Sequence, residues 1–366
     1  MIVKLIDIIT HLEDLAPLQL QEAYDNCGLQ IGDKNAEIRA ALVTLDCTES
    51  VVDEAIGLDC NLIVAHHPVI FKPIKRITGE TDQERVLIKA IQHNIAIYIA
   101  HTNLDHIKTG VNARLGQVIG LKNIKVLEPK KLWLKKLVTF CPKNQLEAVR
   151  QALFSAGAGA IGNYNECSFS TDGEGTFTPN ALANPFIGKT GIRHTEVESR
   201  LEVVYSAEKE QKVLKALFTS HPYEEVAYDC IQLTLPSKDV GAGMVGELNR
   251  QMTEEEFVTH LKDVLNLPVI RHTNLRHQLV SRVAICGGSG SFLLQAAIQE
   301  GADWFLTGDV KYHEFFNAEG KIVLADIGHY ESEQYTKALL SDVLKEKFPI
   351  FAVHLSKTNT NPINYS

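Results

Sequence analysis

Three short apolar runs in the first third of the chain each lead straight into an aspartate or a histidine, and this pairing constrains the fold more than any other feature. Residues 41–45 end at Asp46, residues 61–65 at His66 and residues 95–100 at His101. Runs of this length without polar alternation read as strands buried on both faces. The stretches between them, 50–57 and 83–93, have the length and mixed polarity of crossover helices, so the order is strand, helix, strand, as in a parallel layered sheet. The last third repeats the scheme. Apolar runs at 283–286, 304–307 and 322–325 are separated by 292–300 and 311–318, and a helical stretch at 331–347 follows. Open parallel sheets place ligands at the carboxyl ends of their strands, where loops and helix amino ends converge.

The middle differs. Residues 137–169 align with 201–233 at an offset of 64 residues, and each copy reads as a strand, a helix and a second strand. Val149, Ala152, Leu153 and Phe154 in one helix answer Val213, Ala216, Leu217 and Phe218 in the other. Two β-α-β units in tandem suggest a split β-α-β, ferredoxin-like domain. The Gly-, Thr-, Pro- and Asn-rich link 170–198 is expected to be an extended loop or a hairpin, and Pro129 and the 236–243 stretch bracket the unit. The expected fold class is therefore α/β: a discontinuous layered α/β core, 1–128 and 242–366, interrupted by an inserted ferredoxin-like α+β domain, 129–241.

At 366 residues the chain has room for two to three domains. With 36 basic and 45 acidic residues the net charge is −9, which disfavours nucleic acid and anionic membranes as partners. The longest apolar runs fall far short of the roughly 20 residues a membrane helix needs. Residues 1–15 carry Lys4, Asp7, Glu13 and Asp14 in an amphipathic pattern unlike a secretory signal, so a cytoplasmic location is expected. The seven cysteines are scattered, odd in number and lack a C-x-x-C pair, which points to reduced, mostly buried thiols.

Candidate chemistry sits where the strands end. His66-His67-Pro68 follows the second run, His101 to His106 with Asp105 follows the third, and Asp326 to Glu333 with His329 follows the last. Adjacent histidines in a strand point to opposite faces, but before a proline the chain turns and both rings can face one cavity, which suits two metals side by side. Asp105 can supply a bridging carboxylate, and His329 and Glu333, four apart, share a helical face as the ligands of a zincin helix do. Five nitrogen and oxygen ligands on two divalent cations leave positions open for water or substrate. With no thiolate in the set, zinc, iron, manganese and cobalt all suit. His101 reads either as a histidine behind the ligands or a proton carrier, or as a strand-end histidine bonded to backbone. Asp309 reads as a cap on a helix starting at Val310, and His313 stays open. The Gly241 to Gly246 match to G-x-G-x-x-G lacks a helix start and reads as a re-entry loop. The cluster from Gly287 to Ser291 reads as a tight strand-to-helix turn, with an anion-holding nest as the alternative.

Together these motifs resemble the NIF-three-like family, many of whose members carry the label GTP cyclohydrolase 1 type 2 homologue. The resemblance spans the whole chain. It rests on Tyr24-Asp25-Asn26-Cys27-Gly28-Leu29, where members commonly have Trp-Asp-Asn-x-Gly, on Ala65-His66-His67-Pro68 and on Ala100-His101-Thr102-Asn103-Leu104-Asp105. Thr307-Gly308-Asp309 with His313, and Gly328-His329 with Glu333, complete it. The resemblance implies a dinuclear metal centre on His66, His67, Asp105, His329 and Glu333, with His101 close to the metals. It further implies a middle insertion of the PII and CutA type and a ring-like homohexamer whose metal sites face an interior cavity.

The expected function is a dinuclear metal-dependent hydrolase in which two divalent cations activate water against a purine nucleotide or a related small molecule. A phosphoesterase is compatible with the same motifs. The alternative class is a non-catalytic metal-binding hexamer acting in metal handling or regulation.

Overall fold

The computed structural model describes residues 3–366. The chain forms two compact units, one from residues up to Glu128 together with Asp239–Ser366, the other from Pro129–Lys238.

The larger unit contains two principal sheets. The first has the order Ala352–Leu355, Ala40–Thr44, Leu62–Ala65, Ala96–Ile99, Gly28–Ile31. Its first four strands are parallel, and Gly28–Ile31 pairs antiparallel at the edge. Every residue of the three central strands is buried, as expected of a parallel sheet covered on both faces. Helices Glu49–Gly57 and Asp82–Gln92 pack Val51, Val52, Ala55, Val86 and Ala90 onto one face. Each starts at a threonine whose side chain accepts a backbone N–H of the first turn, Thr48 from Val51 and Thr81 from Glu84.

The second sheet has the order Arg271–His272, Val323–Asp326, Trp304–Gly308, Leu279–Ser289, Gly241–Thr253, Leu121–Pro129. Val323–Asp326, Trp304–Gly308 and Leu279–Ser289 are parallel, while Gly241–Thr253 and Arg271–His272 run antiparallel to their neighbours. The glycine-rich stretch read as a re-entry loop is thus the start of a long strand. Gly243, at φ +61°, lies where a Cβ would press on Leu293 and the Ile285 carbonyl, so its glycines serve close strand packing. Helix Glu254–Leu265 opens with a capping box of Thr253 and Glu256 and buries Phe257, Leu261 and Leu265 against the sheet. Phe257 meets Trp304 edge to face at 5.2 Å, both fully buried.

The smaller unit runs Leu134–Pro142, Leu146–Ser155, Ser168–Phe177, His194–Ser206, Glu210–Ser220, Tyr228–Gln232: β-α-β-β-α-β. Its antiparallel sheet has the order Tyr228–Gln232, Leu134–Pro142, His194–Ser206, Ser168–Phe177. The repeat seen in the sequence is a structural one, since Val149 and Leu153 in one helix and Val213 and Leu217 in the other are all fully buried in one core. The link is a hairpin with Phe177 opposite His194.

Truncating the aromatic pair in the larger unit leaves a cavity that the surrounding sheet cannot fill. Phe257→Ala is expected to cost about 3–5 kcal/mol, read as a lowered urea midpoint at unchanged slope.

Candidate metal centre

The carboxyl ends of both sheets of the larger unit deliver their polar residues to one place. His66 and His67 follow Leu62–Ala65, and both backbone N–H groups donate to the Leu45 carbonyl, at 3.1 and 2.9 Å. This anchor turns the chain so that the two rings lie side by side, 4.9 Å between centroids. His101 and the short helix Thr102–Asp105 follow Ala96–Ile99. His329 and Glu333 occupy the first and last positions of helix His329–Glu333, after Val323–Asp326.

Each imidazole is held from behind through Nδ1. His66 Nδ1 donates to the Ala100 carbonyl at 2.7 Å, His67 Nδ1 to Asp46 at 2.7 Å, His101 Nδ1 to Asp25 at 2.8 Å and His329 Nδ1 to Asp309 at 2.7 Å. Because all four acceptors are oxygens, the proton belongs on Nδ1 and Nε2 is left as the lone pair. At His66, His67 and His329 those lone pairs face more acceptors. Glu333 Oε2 lies 3.0 Å from His67 Nε2 and 3.1 Å from His329 Nε2, and the two Nε2 atoms are 3.3 Å apart. On the other side, His66 Nε2 stands 3.7 Å from both Glu333 Oε1 and Asp105 Oδ1. His66 Nε2 and Asp105 Oδ1 are buried with no hydrogen-bond partner among the described residues.

Lone pairs do not collect around a buried carboxylate without positive charge between them. Three overlapping groups could each hold a metal ion: His66, His67 and His101; His67, His329 and Glu333; His66, Asp105 and Glu333, with ligand atoms within 4.8 Å of one another. The carboxylate common to two of them is Glu333, while Asp105, expected from the sequence to be able to bridge, belongs to one.

Without a cation, protons must supply the charge. Burial opposes the imidazolium of His67, but hydrogen bonds with Asp46 and Glu333 outweigh it and push it up to about 10. Burial likewise opposes His329, while the Glu333 carboxylate and Asp309 lift it to about 9. Burial and the charge of Glu333 raise Asp105 to about 7. Glu333 itself stays far below the usual carboxylate range: burial pushes the other way, and the three histidines prevail. Burial would also raise Asp25, yet hydrogen bonds from His101 and the Thr102 hydroxyl hold it down.

A family model described as Duf34/NIF3 (NGG1p interacting factor 3) matches residues 3–362. The chain belongs to this family. Among similar proteins, the "GTP cyclohydrolase 1 type 2 homolog" of Halalkalibacterium halodurans is 40% identical over 364 residues, 98% of each chain. The protein of the same description from Bacillus subtilis is 40% identical over 364 residues, 98% of this chain and 97% of its own. A solved Bacillus cereus protein related to NIF3 superposes with a TM-score of 0.87 at 38% identity, covering 100% of both chains.

In this member of the family, several site residues escaped the sequence reading. Asp309 does not cap a helix. It sits at φ 56° with its carboxylate on His329, a left-handed conformation that Asp tolerates. Asp25 and Asp46 were visible only as a motif letter and a strand end. Asn112, fully buried, ties the halves together by donating to the Asp105 carbonyl at 3.2 Å and accepting from Gly287 N at 2.8 Å. The glycine cluster is a turn rather than an anion nest, since Gly288 N donates to Ser332 and Gly290 N to Thr307, both at 2.9 Å. Its purpose is space: a Cβ on Gly288, at φ +60°, would collide with Glu333 Oε1. The last residues also reach the site, with Thr360 donating to Asp46 at 2.5 Å. Just upstream, Glu54 accepts from Ser356, Lys357 and Thr358. His313 is exposed and rests against Tyr312 and Phe316.

Asp309→Asn fits the same backbone but cannot stabilise the His329 N–H as a carboxylate does. It should weaken divalent-cation affinity about 10–100-fold in a chelator competition, with an unchanged fold. The raised histidines also fix a pH dependence. Their contribution to the metal-free protein is fully present below pH 6.5 and is lost as pH rises through about 9 and about 10. Chelator-stripped protein should therefore lose melting temperature from pH 6.5 to 10. Saturating cation, which displaces those protons, should flatten or reverse the slope.

Proposed function

We propose that this protein is a dinuclear metal-dependent hydrolase acting on a purine nucleotide or a related small molecule, in the manner of a GTP cyclohydrolase. The reading rests above all on one observation: histidines fixed through Nδ1 turn their Nε2 lone pairs onto the two oxygens of a single buried carboxylate, Glu333. On this reading His66, His67, Asp105, His329 and Glu333 hold two divalent cations, of zinc, iron, manganese or cobalt. The donor set suits them, being nitrogen and oxygen only, with two orphaned buried atoms that a cation would satisfy. When bound, the pair supplies Lewis-acid charge that makes water nucleophilic near neutral pH.

The chain's own groups supply position and proton handling. Glu333 separates the two halves of the site, one oxygen to each. Asp46 and Asp309 fix ring orientation, and the Asn112 bridge holds Asp105 in register with the glycine turn. His101, its Nδ1 engaged by Asp25, keeps Nε2 free beside His66 and His67, ring centroids 5.2 and 5.4 Å away, where it can take a proton from water or return one to a leaving group. The purine part of the reading is supported by the description the relatives carry. The inserted unit belongs on the same reading with PII- and CutA-type modules, a placement its β-α-β-β-α-β order supports.

The test is turnover of GTP and of a phosphoester panel by protein loaded with each metal, compared with chelator-stripped protein and with a His67→Ala, Glu333→Ala variant. Loss of the purine absorbance of GTP with the loaded protein alone is the expected result. Equal rates in the variant would end the reading of this site as catalytic, and turnover confined to phosphoesters would replace the purine substrate.

A further inference from the structure

We infer that the inserted unit, Pro129–Lys238, carries a binding site for an organic cation, a molecule with an amine or quaternary ammonium group on an apolar body. The unit packs both helices on one face of its sheet, where Leu137, Leu201 and Val203 are buried. Alternate residues of the same strands, Phe140, Glu198 and Arg200 among them, face the other way. On that side a cavity of about 670 Å³ lies between the sheet, the segment 178–187 and residues 223–227. Its size is that of a pocket for a metabolite.

The wall is aromatic. Tyr223 contacts Phe177 at 6.2 Å and Phe186 at 6.3 Å between ring centroids, a continuous π surface with Phe140 also lining the space. Glu198 lies against it, its Oε1 accepting the Tyr223 hydroxyl at 2.8 Å and its Oε2 without a hydrogen bond among the described residues. Gly175, on the neighbouring strand, makes room for that carboxylate, because a Cβ there would collide with Oε2. The remaining charge around the cavity is mainly of the same sign. Glu174, Glu224 and Glu225 line it with Asp172, which pairs with Lys143 at 2.7 Å, and with Arg200, which is engaged by Glu202 at 2.9 Å. An anionic ligand would meet a net negative lining. A cation gains both the ring faces and the open carboxylate oxygen, and its apolar body fills the rest.

Calorimetric titration of the full-length protein with choline, benzyltrimethylammonium and 3,3-dimethylbutan-1-ol tests this. The alcohol has the shape of choline without its charge. Saturable binding of both cations is expected, with the alcohol weaker by about tenfold or more, and Glu198→Gln should remove about that factor for the cations while leaving the alcohol unchanged. Phe177→Ala, which keeps the carboxylate, should weaken both cations and serves if Glu198→Gln does not fold. Equal affinity for choline and the alcohol, cation binding indifferent to both substitutions, or no saturable binding of either cation would overturn the assignment. None of these outcomes bears on the metal centre, whose ligands lie in other parts of the sequence.

Discussion

Glu333 is a carboxylate buried to 3% exposure among imidazoles whose outer nitrogens are already committed, and the architecture around it follows from the need to keep that charge compensated. An uncompensated buried carboxylate costs several kcal/mol, so the fold can keep it ionised only by placing positive charge within a few ångströms. His67 and His329, raised by Glu333 and by the aspartates behind them, can provide that charge as imidazolium, and a cation held by the same groups would provide it without those protons. Every neighbouring feature serves the same end. The glycine turn withdraws side chains from the space Glu333 fills, its amides satisfied by Ser332, Thr307 and Asn112 so that they do not compete for the carboxylate.

The two sheets contribute different parts. The first brings His66, His67, Asp105 and the carboxylates of Asp25 and Asp46; the second brings His329, Glu333 and Asp309. His66, His67 and His101 of the first sheet make one candidate group by themselves, but the two groups that share Glu333 draw on both sheets, whose strand ends Asn112 joins. The Glu54 clamp and the Thr360 contact extend the dependence to the last residues, because Asp46 orients His67 and is itself oriented from there. Rigid support of this kind is what distinguishes a ligand field from a chance group of acids and bases.

The inserted unit has its own core and its own cavity, with a different chemical character. The candidate metal centre is nitrogen-rich and closely packed, whereas the cavity of the insert is aromatic and roomy, with the Glu198 carboxylate against its rings.

The uninterrupted apolar runs specified the central strands of both sheets, because burial on both faces leaves no polar alternation to confuse the period, and the paired helices of the insert were legible as a repeat for a related reason, shared core positions. The residues that the fold gathers into the candidate metal groups were legible too, since few structural roles call for adjacent histidines and carboxylates at strand ends. What the sequence could not carry was the partner of each side chain. Asp309 looked like a helix cap, Gly241 to Gly246 like a loop and Gly287 to Ser291 like a turn of undecided use. Local pattern is blind to whether an N–H or a carboxylate will be met by a residue many positions away. Only the tertiary fold decided that Asp309 holds His329, that Gly288 leaves room for Glu333 and that Glu333 is common to two candidate groups, because hydrogen bonds and charge compensation act through space while spacing along the chain records only periodicity.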